Sequence, residues 1–102
     1  MKSRTDELSE TAEKASELLR VLANQKRLLI LCKLAECERS VQELQEATGL
    51  GQSTVSQQLA KLRGEKLVSA RREAQSVFYS LASREVEAVI DTLYGLYCTP
   101  DC

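Results

Sequence analysis

The chain has 102 residues, 43% of them hydrophobic and 28% charged, which is typical of one folded domain and excludes a disordered segment. The absence of histidine excludes imidazole general bases, histidine-activated nucleophiles and every imidazole metal site. A net charge of −1 excludes a uniformly basic, histone-like surface but leaves room for a local basic patch. Because so short a chain builds only a modest core, we expect residues 1–102 to form a single binding domain and not an enzyme.

Two helices are predicted at the start of the chain. Leucine and alanine recur at helical spacing from about Thr5 to Leu22, which predicts one amphipathic helix. Asn24 is a favourable N-cap for a second helix, expected from Gln25 to about Glu36. That second segment is apolar on most sides, so it should be the central buried helix.

Two shorter helices joined by a glycine-containing turn are predicted next. The segment Ser40–Glu43 is a capping box that opens the third helix, and Gly49 is a natural residue to end it. The fourth helix should run from Gln52 to about Gly64, with its apolar stripe turned inward. Two helices with this connection form a helix-turn-helix.

Beyond Gly64 the pattern changes from helix to strand. Residues 67–72 and 76–81 predict a hairpin, or wing, whose turn is formed by residues 73–75. Ser83 should cap a last amphipathic helix, and Pro100 should end it. The predicted fold is therefore mainly α, a winged helix-turn-helix in which a hairpin precedes the last helix.

The first and last helices both carry long apolar stripes. Such stripes exceed what a body this small needs to cover its core, so we expect these helices to pack across a two-fold dimer interface. The alternative is a monomer whose outer helices pack only on their own body.

The exposed face of the fourth helix carries residue types that read DNA. A helix-turn-helix inserts the first turns of its second helix into the major groove, where glutamine can pair with adenine and serine or threonine can contact a base or a phosphate. Residues 61–72 carry five basic residues against one acidic residue, which adds phosphate-binding charge. A merely solvated polar face would not explain why the turn, the basic stretch and the hairpin coincide. The predicted DNA-binding residues are Ser53, Thr54, Ser56, Gln57, Lys61, Arg63, Arg71 and Arg72.

Three stretches of the sequence resemble the ArsR-type winged-helix repressors: ANQKRL at 23–28, GQSTVSQQLAKLR at 51–63 and GEKLV at 64–68. The resemblance covers nearly the whole chain and implies a dimeric bacterial repressor that leaves its operator DNA when an inducer binds. Many members have His where this chain has Gln58 and Ser where it has Gly51. Glycine is still an acceptable N-cap, so these departures bear on base preference and not on the fold.

The cysteines, at positions 32, 37, 98 and 102, are the candidates for chemistry. No signal-peptide pattern follows Met1 and no apolar run approaches a membrane span, so the expected compartment is the cytoplasm. Cytoplasmic cysteines more often bind metal or sense redox state than cross-link a fold. Four cysteines allow three pairings, and the residues alone do not choose among them.

The metal sites usual in the ArsR-type repressors are absent from this sequence. Their arsenic and cadmium site resembles Cys-Val-Cys at the start of the third helix, where this chain has Ser40-Val41-Gln42. Their zinc site on the last helix needs Asp and His ligands, and this chain has no histidine. We therefore predict no metal site of the usual form and no cofactor.

Cys32, Cys98 and the wing segment 72–79 resemble one branch of these repressors, which senses persulfides and other reactive sulfur species through thiols. In that branch a disulfide or polysulfide bridge links the two matching cysteines, and the repressor releases DNA. The resemblance thus implies Cys32 and Cys98 as the sensor pair and a small persulfide or polysulfide as inducer. Each inserted sulfur lengthens a bridge by roughly 2 Å, so thiols too far apart for a disulfide would favour a polysulfide.

Other interpretations of the cysteines stay open. Cys32 alone could be a small buried hydrophobe, and Cys37, in a polar loop, is interpreted as incidental. The main rival is a repressor that senses arsenite or another soft metal through thiolates of Cys98, Cys102 and either Cys32 or Cys37. A thiol oxidoreductase is a weaker alternative, because no pair has Cys-x-x-Cys spacing.

Overall fold

The computed structural model describes residues 3–98. Within that range the elements are, in chain order, α1 (Arg4–Glu10), α2 (Ala12–Leu22), α3 (Gln25–Glu36), β1 (Arg39–Ser40), α4 (Val41–Thr48), α5 (Gln52–Gly64), β2 (Val68–Glu73), β3 (Ser76–Leu81) and α6 (Arg84–Tyr97). The prediction of a mainly α chain with a helix-turn-helix and a hairpin before the last helix is confirmed. Among the described residues, no helix is long and apolar enough to cross a membrane.

Helix caps explain where α3, α4 and α6 begin. The side chains of Asn24 and Ser83 each accept a hydrogen bond, at 3.1 Å, from the backbone N–H three residues later. At α4 the capping box is complete, with Ser40 and Glu43 bonded reciprocally at 3.1 and 2.9 Å. Gly49 ends α4 with φ +77°, a left-handed conformation that favours glycine. These predicted caps are all confirmed.

The prediction of one continuous helix from Thr5 to Leu22 is wrong, because the segment is divided at Thr11. The Thr11 hydroxyl donates to the carbonyls of Glu7 and Leu8, both at 3.2 Å, and its backbone N–H donates to Leu8 as well. A threonine that bonds back to the preceding turn competes with the helical ladder. Thr11 therefore ends α1 and precedes α2.

A three-stranded antiparallel sheet replaces the predicted two-stranded hairpin, in the order β1-β3-β2. The two-residue strand β1 pairs Arg39 with Tyr79 and Ser40 with Phe78. In the hairpin Glu73 pairs with Ser76, so the turn contains two residues and not the predicted three. The predicted end of the last helix at Pro100 lies outside the described residues, and α6 ends at Tyr97.

The core is built around α3, as predicted. Ile30 and Leu31 are fully buried and Leu34 nearly so. Helices α2, α4, α5 and α6 and strand β2 contribute the other buried side chains, which are Val21, Leu22, Leu44, Val55, Leu59, Leu62, Val68, Val86 and Ile90. Because α5 packs on β2 and β3 packs on α3, the helix and the wing are held in a fixed relation to each other and to the core.

Candidate DNA-reading face and dithiol site

The predicted reading face of α5 points away from the core. Its inner side is fixed by three buried residues, Val55, Leu59 and Leu62. Ser53, Ser56, Gln57, Lys61 and Arg63 are exposed, and Thr54 is half-buried at the edge of the face. The first turn of α5 therefore offers hydroxyl and amide groups, and its last turn offers positive charge.

Gln58 lies on the inner side of α5 and not on the reading face. Its Oε1 accepts a hydrogen bond from Arg27 Nε at 3.0 Å, and Arg27 also donates to the carbonyl of Val21 at 3.3 Å. The residue at this position thus joins α5 to α3 and the end of α2. Its departure from the usual histidine affects helix packing more directly than base contacts.

Arg71 and Arg72 lie on opposite sides of the wing, because successive strand residues alternate. Val68, Ala70 and Arg72 share one side, on which Ala70 pairs with Tyr79. A surface hollow of about 430 Å³ is lined by Tyr79 and by five residues of α5, which are Ser56, Leu59, Ala60, Arg63 and Gly64. Arg72 is therefore on the side of the wing that faces α5.

Arg71 is held by carboxylates, unlike Arg72. Its Nε and Nη2 donate to the two carboxylate oxygens of Glu38, both at 2.8 Å, and Glu73 lies 3.4 Å from its Nη1. The guanidinium also lies 5.1 Å from the ring centre of Phe78. The hydrogen bonds from Arg71 lower the pKa of Glu38. Within the described part of the chain, Arg72, Lys61 and Arg63 have no such carboxylate partner.

Cysteines 32 and 98 lie where α3 and α6 pack together. Cys32 is half-buried on α3 against the core, whereas Cys98 is exposed and caps the C-terminus of α6. Cys37 is exposed and caps α3, and the three described cysteines are free thiols. Cys102 lies outside the described residues.

The electrostatics of Cys32 link it to Cys98. Burial raises the pKa of Cys32, the negative charges of Cys98 and Glu36 raise it further, and Lys33 lowers it. Tyr94 of α6 also has a raised pKa, first because of burial and then because of Glu36, Cys32 and Cys98. The two cysteines therefore lie within electrostatic reach of each other, in one cluster with Glu36 and Tyr94.

Sequence reasoning missed Glu36, Tyr94 and Tyr79 as members of these sites. Tyr94 donates a hydrogen bond to Glu36 at 3.3 Å across 58 residues of chain, which no local pattern reveals. Tyr79 could have been placed beside α5 only with the strand register in hand. Among residues 3–98, no group of three or more acidic or cysteine side chains is placed to hold a metal ion.

The fold and the reading face define a winged helix-turn-helix protein, a class that inserts its second motif helix into the major groove. The chain belongs to the arsR family of bacterial regulatory proteins, whose model matches residues 24–70. It is similar to the transcriptional activator HlyU of Vibrio cholerae, with 50% identity over 92 residues covering 90% of this chain and 85% of HlyU. The chain is therefore a transcriptional regulator and not an enzyme.

Two solved structures extend the comparison. The transcriptional repressor BigR from Xylella fastidiosa matches with a TM-score of 0.89 and 34% identity, over 95% of this chain and 99% of BigR. The homodimeric winged helix-turn-helix DNA-binding domain of Mb0332 from Mycobacterium bovis matches with a TM-score of 0.71 and 31% identity, over 94% of this chain and 89% of that chain. The predicted resemblance to ArsR-type winged-helix proteins is confirmed.

Proposed function

We propose that the protein is a dimeric repressor that binds operator DNA and releases it when Cys32 and Cys98 become linked by a disulfide or polysulfide bridge. The observation that carries the proposal is that Cys32 and Cys98 lie at the contact between α3 and α6, near enough for the charge of Cys98 to raise the pKa of Cys32. A repressor such as BigR and an activator such as HlyU share this fold, so repression is itself part of the proposal.

For the DNA contact, the α5 face and Arg72 act together. Ser53 and Gln57 contact base edges, while Ser56 and Thr54 contact bases or phosphates. Arg72, Lys61 and Arg63 are exposed and contact phosphates. Arg71 is committed to Glu38, so its contribution is to hold the base of the wing against the loop after α3.

Exposed apolar side chains on the first and last helices support the dimer. Leu8 is 60% exposed on α1 and Leu19 is 59% exposed on α2, while Leu96 and Tyr97 are 69% and 81% exposed on α6. Large apolar side chains gathered at the outer helices favour a partner surface, and a second copy supplies one. The homodimeric domain of Mb0332 supports the same assembly.

The difference in exposure between Cys32 and Cys98 supports a different role for each thiol. Cys98 meets the reagent first, and its thiolate attacks the outer sulfur of a persulfide RSSH. The outer sulfur is transferred to Cys98, which becomes a persulfide, and the remaining thiol leaves as RSH. Cys32 then closes the bridge. If the product is a disulfide, closure of the bridge expels H₂S. If the product is a trisulfide, closure consumes a second RSSH and releases one RSH and one H₂S. Each route removes two hydrogens from the protein, and the persulfide is the oxidant.

Intact-protein mass spectrometry after separate treatment with an organic persulfide, a peroxide and arsenite tests the proposal. Persulfide should remove two hydrogens and add zero or more whole sulfurs, in parallel with loss of operator binding. Arsenic retained on the protein together with DNA release, abolished by Cys102→Ser, would favour the soft-metal alternative.

Cysteine variants make the test specific. Cys32→Ser and Cys98→Ser should bind operator normally and ignore the persulfide, which would leave a permanent repressor. Cys37→Ser and Cys102→Ser are the matched controls and should still respond. If Cys37→Ser abolishes the response and Cys32→Ser keeps it, the proposed sensor pair is wrong.

A further inference from the structure

The carboxylate of Glu36 joins three elements at the C-terminal end of α3. Its Oε2 accepts a hydrogen bond from the Tyr94 hydroxyl of α6 at 3.3 Å. Its Oε1 accepts a hydrogen bond from Arg39 Nη2 of β1 at 2.7 Å, and Lys33 Nζ lies 3.9 Å from Oε2. One side chain thus connects the helix that Cys98 caps to the sheet that forms the wing.

On the α6 side, the Glu36–Tyr94 bond joins the same two elements as the proposed bridge. Cys32 and Glu36 are four residues apart on one face of α3, and Tyr94 lies four residues before Cys98, the residue that caps α6. The backbone N–H of Cys98 donates to the Tyr94 carbonyl at 2.9 Å, which ties Cys98 to that last turn. A bridge between Cys32 and Cys98 therefore acts one helical turn away from the Tyr94 hydroxyl.

On the wing side, Arg39 is fixed at two points. Its Nε donates to the carbonyl of Lys33 at 3.0 Å while its Nη2 holds Glu36. Its side chain is only 21% exposed, and its backbone pairs with Tyr79 in the central strand β3. A displacement of Glu36 would thus be passed through Arg39 to β3. Strand β3 borders the α5 hollow at Tyr79 and pairs with β2, which carries Arg72.

We infer that Glu36 and Tyr94 are positioning residues that transmit closure of the Cys32–Cys98 bridge to the DNA-binding wing through Arg39. Drawing Cys98 onto Cys32 shifts the last turn of α6 and breaks the Tyr94–Glu36 bond. Glu36 then rearranges against Arg39, and β1 and β3 move relative to α5. This inference rests on the proposed function, since it needs a bridge that lowers operator affinity.

Tyr94→Phe separates bridge formation from DNA release, because it removes one oxygen and leaves both thiols in place. The measured quantity is the ratio of operator affinity in the reduced and persulfide-bridged forms, alongside the bridge yield from intact mass. Tyr94→Phe should form the bridge with unchanged yield, while the affinity ratio falls at least about threefold, within the usual range of couplings between sites. Thr92→Val, which removes an exposed hydroxyl of α6 that donates to the carbonyl of Ala88 in the same helix, is the matched control and should leave the ratio unchanged.

A double variant shows whether the two side chains act through each other. Glu36→Gln should lower the affinity ratio as Tyr94→Phe does, and the double variant should lower it no further. A residue that served only to stabilise the fold would not give this pattern. If Glu36→Gln fails to fold, because it disturbs three contacts at once, the comparison of Tyr94→Phe with Thr92→Val still decides.

The outcomes that overturn the inference are distinct from failure of the proposed function. Full release of DNA by bridged Tyr94→Phe overturns the relay alone. An unaltered chain that bridges yet keeps its operator, or that never bridges, overturns the proposed function and the relay with it.

Discussion

Replacing Arg72 with alanine should reduce the salt dependence of operator binding, whereas Arg71→Ala should leave it nearly unchanged. Adjacent in sequence, the two arginines differ in environment. Arg71 is bonded to both oxygens of Glu38, so its charge is already compensated, while Arg72 is exposed on the side of the wing that faces α5. Only an uncompensated cation displaces counterions from a phosphate.

The magnitude follows from counterion release. Each phosphate contact contributes about 0.9 to the slope of log affinity against log salt, so a dimer lacking both Arg72 contacts should lose about 1.8. Over a roughly fourfold range of salt concentration, the loss of one contact reduces the salt-dependent change in affinity by about 3.5-fold, and the loss of two reduces it by about twelvefold.

Fluorescence anisotropy of a labelled operator duplex, titrated at several salt concentrations, measures these slopes. Arg72→Ala should also weaken binding to unrelated duplexes, because phosphate contacts carry no sequence information. Glu38→Gln adds a converse check, since it removes the charge of the carboxylate that holds Arg71 at two points and should steepen the slope. If Arg71→Ala and Arg72→Ala reduce the slope equally, the reasoning is refuted, because Arg71 must then leave Glu38 to bind a phosphate.

Three other predictions concern the reading face, metals and pH. Gln57→Ala should cost on the order of 1–3 kcal/mol of operator affinity and weaken the base preference at one position in a binding-site selection. An unchanged base preference would mean that another residue makes the contact. Zinc, cadmium and stoichiometric arsenite should leave operator binding intact, which the same anisotropy titration checks. The pH prediction uses a mixed disulfide between Cys98 and an aromatic thiol, which Cys32 attacks as a thiolate. Because burial raises the pKa of Cys32, the rate of this attack should still increase above about pH 8.5, where ordinary thiols are half-ionised. Release of the coloured thiol, followed in a background of Cys37→Ser and Cys102→Ser, reports that step, and a plateau below this pH would contradict the assignment.

The features that sequence predicted best are those decided within one turn of chain. A capping side chain and its N–H partner are three residues apart, so Asn24, Ser40 and Ser83 could be identified without tertiary information. The break at Thr11 is not predictable in this way, because the apolar spacing continues through it. The interruption comes from the Thr11 hydroxyl, which bonds back to the preceding turn.

The contacts that sequence could not predict join residues far apart in the chain. Arg71 meets Glu38 across 33 residues and Tyr94 meets Glu36 across 58, and both depend on how whole elements dock. Strand β1 has two residues, too few for any alternation to be detected. The resemblance identifies the candidate thiols, whereas the groups that surround them are brought together only by the fold.

The wing changes from three strands to two along its length, and this sets where it can bend. Strand β1 supports β3 only at Tyr79 and Phe78, so Val77 and its partner Arg72 lie just beyond the last supported pair. Two-stranded ribbons twist more than wider sheets and are marginally stable alone. We expect the three-stranded base to stay fixed while the two-stranded tip bends, so Arg72, proposed above as a phosphate contact, would move with the tip and not with the core.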